Sequence, residues 1–114
     1  FIVDRKKDII IRGGENISCL EVEEAIYAND DVSECTVFGL PDDRYGEIVG
    51  VVYLPHEGKD LTEDQLAAFL ETKLPPHKRP AKIWRAGKTL PRLGTQKIDR
   101  KLLREQYTKV YTSA

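Results

Sequence analysis

The sequence predicts an α+β fold: a small mixed β-sheet with helices packed on it, in the order β-α-β-β-α-β-α. Two apolar runs, residues 34 to 40 and 47 to 54, flank a polar turn. Two helix starts carry the same capping grammar, and a further strand-sized run is followed by a terminal amphipathic segment.

At the beginning, Phe1-Ile2-Val3 and Ile9-Ile10-Ile11 are apolar runs around the charged segment Asp4 to Asp8. They read either as two short strands with a polar turn or as a linker entering a strand. Gly13-Gly14 follows, which on its residues alone is a tight turn requiring positive φ. A helix is predicted next. Ser18 and Glu21 stand at the positions of a capping box, and Ile17 and Val22 at those of a hydrophobic staple. Val22, Ala25 and Ile26 give the buried stripe, with Asn29 as a left-handed terminator.

The two apolar runs then form neighbouring strands joined by Pro41-Asp42-Asp43-Arg44-Tyr45-Gly46. Residues 47 to 54 are nearly continuously apolar, as in a central strand. In the second helix Thr62 and Gln65 form the box, Leu61 and Leu66 the staple, and Leu66, Phe69, Leu70 and Leu74 the stripe. Pro75-Pro76 ends it, since proline lacks the amide and disfavours helix at the preceding residue. A strand over Ala81 to Ala86 and a helix near 99 to 107 complete the order.

With 114 residues the chain is one domain. It begins at Phe1 and contains no methionine, so it is expected to be a piece of a longer protein. Apolar runs are strand-sized, so no membrane span is expected. The net charge of −1 gives no overall pull toward nucleic acid. Twelve basic residues nevertheless fall between Lys73 and the end, against two acidic ones, Asp99 and Glu105. That distribution fits a local polyanion site or an ordinary solvated basic face. Cys19 and Cys35 lack metal or redox spacing and are expected to be reduced structural thiols, in keeping with a cytoplasmic location. His56 and His77 are isolated, so no metal site is predicted. Walker and Rossmann spacings are absent.

Four segments, in order, carry a resemblance. They are Asp4-Arg5-Lys6-Lys7-Asp8 running on to Gly13-Gly14-Glu15-Asn16-Ile17; Gly39-Leu40-Pro41-Asp42-Asp43-Arg44-Tyr45-Gly46-Glu47; Lys78-Arg79-Pro80; and Pro91-Arg92-Leu93-Gly94-Thr95-Gln96-Lys97. Together they resemble the C-terminal domain of the adenylate-forming enzymes, the family of acyl- and aryl-CoA ligases, firefly luciferase and peptide-synthetase adenylation domains. The resemblance spans nearly the whole chain.

It implies an enzyme that joins a carboxylic acid to ATP (with Mg), releases pyrophosphate, and passes the acyl group to the thiol of CoA. A large N-terminal domain, absent from this chain, would bind ATP and the acid. This small domain would swivel on it and be inactive alone. By the same resemblance Lys97 is the adenylation lysine, Lys7 the hinge residue, and Arg5 a contact of the nucleotide ribose. Gly13 and Gly14 line the passage for the pantetheine arm. Tyr45 and His77 face the CoA adenine, and Lys78 and Arg79 belong to the CoA-binding face. The chain departs from the commonest family pattern at Gln96, where glycine is usual, and at Cys19, where proline is usual. The Gly-Gly-Glu-Asn run favours a CoA ligase over a carrier-protein-loading module. A non-catalytic binding module derived from this domain is the alternative from another class.

Overall fold

The computed structural model describes residues 9–87, 90, 91, 94 and 98–113. Its elements are β1 (Ile9–Arg12), β2 (Glu15–Ser18), α1 (Cys19–Tyr27), β3 (Val32–Asp42), β4 (Gly46–Pro55), α2 (Glu63–Glu71), a 3-10 turn (Pro76–Lys78), β5 (Lys82–Arg85) and α3 (Arg100–Ser113). The α+β class and the mixed sheet are as the sequence predicts. One strand was not anticipated: β2 stands between the glycine turn and α1. The run Phe1 to Val3 lies outside the described residues.

Strands run β2-β1-β4-β3 across the sheet, and β5 also pairs with β4. Among these five strands every pairing is antiparallel except β4 with β5, which is parallel. Along one edge β4 pairs with β3 from Asp42↔Gly46 to Val32↔Pro55. Its other edge is shared: β1 meets it at Arg12↔Gly46, and β5 meets it from Gly50 to Tyr53.

Alternation along these strands builds two cores. Cys35, Val37, Val49, Val51 and Tyr53 pack with Val22 and Ile26 of α1 and Leu66 and Leu70 of α2. Phe38, Leu40 and Val52 point the other way, toward Leu103 and Tyr107 of α3 and Trp84 of β5. The sheet is therefore the middle of three layers.

Helix ends follow the sequence to different degrees. At α2 the box is complete, with Thr62 Oγ1 accepting from Gln65 N–H and Gln65 Oε1 accepting from Thr62 N–H. At α1 Ser18 Oγ accepts from Glu21 N–H at 3.3 Å, while the Glu21 carboxylate turns to Lys78. Helix α1 ends at Tyr27 with Ala28 as its C-cap, and Asn29 shapes the turn that follows, its Oδ1 accepting from Asp31 N–H at 2.9 Å. Helix α2 stops at Glu71, before Pro75, where Thr72 Oγ1 donates to Phe69 O. Helix α3 runs on to Ser113, further than predicted, because Tyr107 and Tyr111 continue its apolar stripe over the second core.

The outer edge of β3 is closed by side chains of α1. Tyr27 Oη accepts from Cys35 N–H at 3.0 Å, and Glu23 Oε2 accepts from Val37 N–H at 3.1 Å. An edge strand is thereby kept from pairing with another chain. The same Glu23 oxygen holds Arg100 Nη2, at the start of α3, at 2.6 Å.

Candidate functional site

The β1–β2 hairpin is joined by two residues only. Arg12 pairs with Glu15, and Gly13 and Gly14 between them have φ of +59° and +88°. Two consecutive positive φ values are what a type I′ turn requires, and glycine adopts them without a Cβ penalty.

The second turn is built just as tightly. Asp42 Oδ2 accepts from Arg44 N–H at 3.0 Å and from Tyr45 N–H at 2.8 Å, and Gly46 closes the turn at φ +83°. Gly13 N–H donates to Tyr45 O at 2.8 Å, which joins the two tips. The Arg12 guanidinium lies 4.1 Å from the centre of the Tyr45 ring, and that of Arg44 lies 5.2 Å away. A Cβ on Gly13 would stand 3.3 Å from Tyr45 Cδ1, whereas one on Gly14 would meet nothing within 4 Å. Gly13 is thus a contact glycine, and Gly14 borders open space.

Of the residues singled out from the sequence, Gly13, Gly14 and Tyr45 come together directly. His77 joins them through Glu15, with His77 Nε2 at 3.4 Å from Glu15 Oε2. Lys78 lies against the first turn of α1, its Nζ 2.8 Å from Glu21 Oε2. Arg79 points elsewhere: Nε donates to Leu74 O and Nη2 to Glu71 O, so it caps the carbonyl end of α2. Arg5, Lys7 and Lys97 lie outside the described residues.

The flanks of Lys97 are described. Asp99 N–H donates to Pro91 O at 2.8 Å and ties the two ends of that stretch together. Asp99 also caps α3, its Oδ1 accepting from Leu102 N–H at 3.1 Å. Leu90 N–H is held by Glu34 Oε1 at 3.0 Å.

Arg12, Glu15, Glu47 and Arg104 also shape this region; the first three stand in segments that carry the resemblance, but none of the four was assigned a role from sequence. Glu47 was legible in principle, because the turn Asp42 to Gly46 fixes its register. The cavity between the β3–β4 hairpin and α3, about 530 Å³, is lined by Pro41, Gly46, Glu47, Arg104, Thr108 and Lys109.

The cysteines take no part in this surface. Both are buried and neither forms a disulfide, and burial together with the nearby Glu23 pushes the Cys35 thiol up to about 12. At neutral pH it is a protonated, poor nucleophile. Among the described residues no group of three or more His, Cys, Asp or Glu is placed to hold a metal ion. No described helix is long and apolar enough to cross a membrane.

The structure thus brings the Gly13–Gly14 turn against Tyr45 and ties the flanks of Lys97 beside a terminal helix. The family model for the AMP-binding enzyme C-terminal domain matches residues 21–97. The chain belongs to that family. Among its relatives, a long-chain-fatty-acid–CoA ligase of Mycobacterium tuberculosis is 40% identical over 95% of this chain and 21% of its own length. A feruloyl-CoA synthase of Amycolatopsis is 42% identical over 85% of this chain and 20% of its own length. Among solved structures, a fatty acyl CoA synthetase of M. tuberculosis superposes with a TM-score of 0.83 at 39% identity, covering 94% of this chain and 21% of that one. ATP-bound MatB from Rhodopseudomonas palustris gives a TM-score of 0.85 at 33% identity, over 93% of this chain and 21% of that one. The chain thus spans about one fifth of the length of the proteins it matches.

Proposed function

We propose that this chain is the mobile C-terminal domain of an ATP-dependent, AMP-forming acyl- or aryl-CoA ligase, acting in the cytoplasm with a large N-terminal domain of the same protein. The observation that carries this reading is the Gly13–Gly14 turn, free of side chains and docked on Tyr45, in a chain whose relatives bear the names of CoA ligases.

In the first half-reaction a carboxylate oxygen of the acid attacks the α-phosphorus of ATP, delivered with Mg, and the bond to pyrophosphate breaks. Negative charge grows on the α-phosphate oxygens, and the Lys97 ammonium is suited to stabilise it there and on the attacking carboxylate. Arg5 holds the ribose. Rotation about Lys7 then exchanges the face presented to the N-terminal domain. In the second half-reaction the CoA thiolate attacks the acyl carbonyl, the carbon–oxygen bond to AMP breaks, and AMP leaves. Gly14 borders the path of the pantetheine arm, where a side chain would obstruct it. Gly13 and Tyr45 form its wall, with Tyr45 and His77 toward the adenine. Lys78 and Arg79 serve the phosphates. Lys78 would exchange Glu21 for phosphate, and Arg79, with two donors on α2, keeps Nη1 for it.

The test uses the full-length protein with the two half-reactions assayed separately. Lys97→Ala is expected to lower adenylation by roughly 10²–10³, the effect of one lost transition-state charge partner of about 3–4 kcal/mol. Transfer from preformed acyl-adenylate to CoA should be spared. Equal losses in both steps would remove Lys97 from the adenylation role. Measurable acyl-CoA formation by the 114-residue chain alone would refute the division of labour.

A further inference from the structure

Strand β1 meets β4 at a single pair, Arg12 opposite Gly46. One step further along, Ile11 stands opposite Glu47, and there a side chain makes the link: Ile11 N–H donates to Glu47 Oε1 at 2.9 Å. The second oxygen, Oε2, accepts from Arg104 Nη2 of α3 at 3.4 Å. One carboxylate thus connects the strand that leads into the glycine turn, the start of β4 and the terminal helix.

The carboxylate lies where residue 39 has no side chain. A Cβ built on Gly39 would stand 2.7 Å from Glu47 Oε2 and 2.9 Å from its Cδ, inside any allowed contact. Gly39 faces Val49 and Pro41 faces Glu47, so Gly39 and Glu47 are diagonal neighbours on one face of the hairpin. The φ of Gly39 lies outside the left-handed region, so what this position requires of glycine is room.

We propose that Glu47 is a positioning residue for the glycine turn. Seated in the notch left by Gly39, it clasps β1 and α3 to β4 and holds Gly13–Gly14 against Tyr45 for the thioester-forming step. Ile11 is two residues from Gly13. Beside it the main chains meet at the Arg12–Gly46 pair, which includes the bond from Gly13 N–H to Tyr45 O. Loss of the clasp lets the turn shift, and displacement of a lining element by about 1 Å can slow a bound reaction as much as 10²-fold. The role in thioester formation rests on the function proposed above; the clasp itself does not.

The experiment compares Glu47→Ala, Gly39→Ala, their double variant and Glu47→Gln in the full-length protein. Glu47→Ala removes the carboxylate. Gly39→Ala keeps it but displaces its flexible end from the notch. Each is expected to slow transfer from preformed acyl-adenylate to CoA by roughly tenfold, with adenylation changed by less than about twofold. The double variant should be no slower than the slower single one, because both break the same clasp. Glu47→Gln, which keeps an acceptor for Ile11 N–H, should recover most of the rate. Amide hydrogen exchange at Ile11 should quicken about tenfold in both alanine variants. Parallel loss of both half-reactions, additive losses in the double variant, or a glutamine variant as slow as alanine would overturn the positioning role. Unchanged Ile11 exchange in both alanine variants would overturn the clasp. A wild-type protein that forms no acyl-CoA, with Ile11 exchange still governed by Glu47, would sink the ligase reading and the thioester role together while the clasp stands.

Discussion

The glycine turn and the lysine stretch are held in different ways. Gly13–Gly14 is fixed along its own backbone, by two positive φ values, a main-chain bond to Tyr45 and the ring packed against Gly13. The stretch that carries Lys97 is fixed at its ends, by the bond from Asp99 to Pro91, the cap on α3 and the grip of Glu34 on Leu90. A Cβ on Gly94, inside that stretch, would meet nothing within 4 Å. On the function proposed for Gly13 and Gly14, the role of the glycine turn would be a matter of shape. On that proposed for Lys97, the role of the lysine stretch would be a matter of charge and reach.

The same contrast recurs in two carboxylates that hold arginines of α3. Glu23 and Glu47 each accept from a strand N–H and from an arginine of α3, four residues apart at Arg100 and Arg104. Glu23 is nearly enclosed, with its side chain 13% exposed and Arg100 at 2.6 Å; Glu47 is 28% exposed with Arg104 at 3.4 Å. The first anchors the helix that follows the lysine stretch, and the second is a looser clasp beside the glycine turn.

The largest expected stability effect sharpens this comparison. Glu23→Ala strips Val37 N–H and Arg100 of their shared acceptor in a mostly buried setting, and should destabilise the protein by about 2–4 kcal/mol. Glu47→Ala breaks an exposed pair and should cost about 1 kcal/mol or less. Denaturant unfolding of the two variants measures the difference; equal losses would erase the distinction between anchor and clasp.

A smaller effect separates the two turn glycines. Both alanine variants carry about 1–2 kcal/mol of left-handed strain, but only Gly13→Ala also presses on Tyr45. Gly13→Ala should therefore unfold earlier than Gly14→Ala and perturb the Tyr45 ring resonances, which Gly14→Ala should leave in place. Indistinguishable variants would mean that the Tyr45 contact has no energetic weight.

How much of this was legible depends on whether the determining interactions are local. The α2 capping box was readable because Thr62 and Gln65 are three residues apart and nothing else competes for them. The box at α1 had the same letters but only half formed, because Lys78, distant in sequence, takes the Glu21 carboxylate. Strand β2 was missed because Glu15-Asn16-Ile17-Ser18 buries Ile17 alone and shows no run of β-formers. Yet Gly-Gly with apolar residues before it is itself a hairpin signal. The resemblance put Gly13 and Tyr45 both on the CoA side without joining them, and the residues alone gave two separate turns; their contact comes from the fold. The capping of α2 by Arg79, and the contacts of Glu47 with β1 and α3, had no local signature, since they depend on how the chain folds back on itself. Roles for Arg5, Lys7 and Lys97 rest on sequence resemblance.

The central claim is that one small domain serves two half-reactions with two different surfaces. Its most direct test is Gly14→Leu in the full-length protein, set against Gly14→Ala for backbone strain and Lys97→Ala for the other half-reaction. Leucine at position 14 should slow acyl transfer to CoA far more than alanine does, by about tenfold or beyond. Pyrophosphate release should stay near the wild-type rate, the reverse of the pattern expected for Lys97→Ala. If leucine and alanine prove equally harmful, or if adenylation falls in step with thioester formation, Gly14 is a turn residue and the two-surface account is wrong.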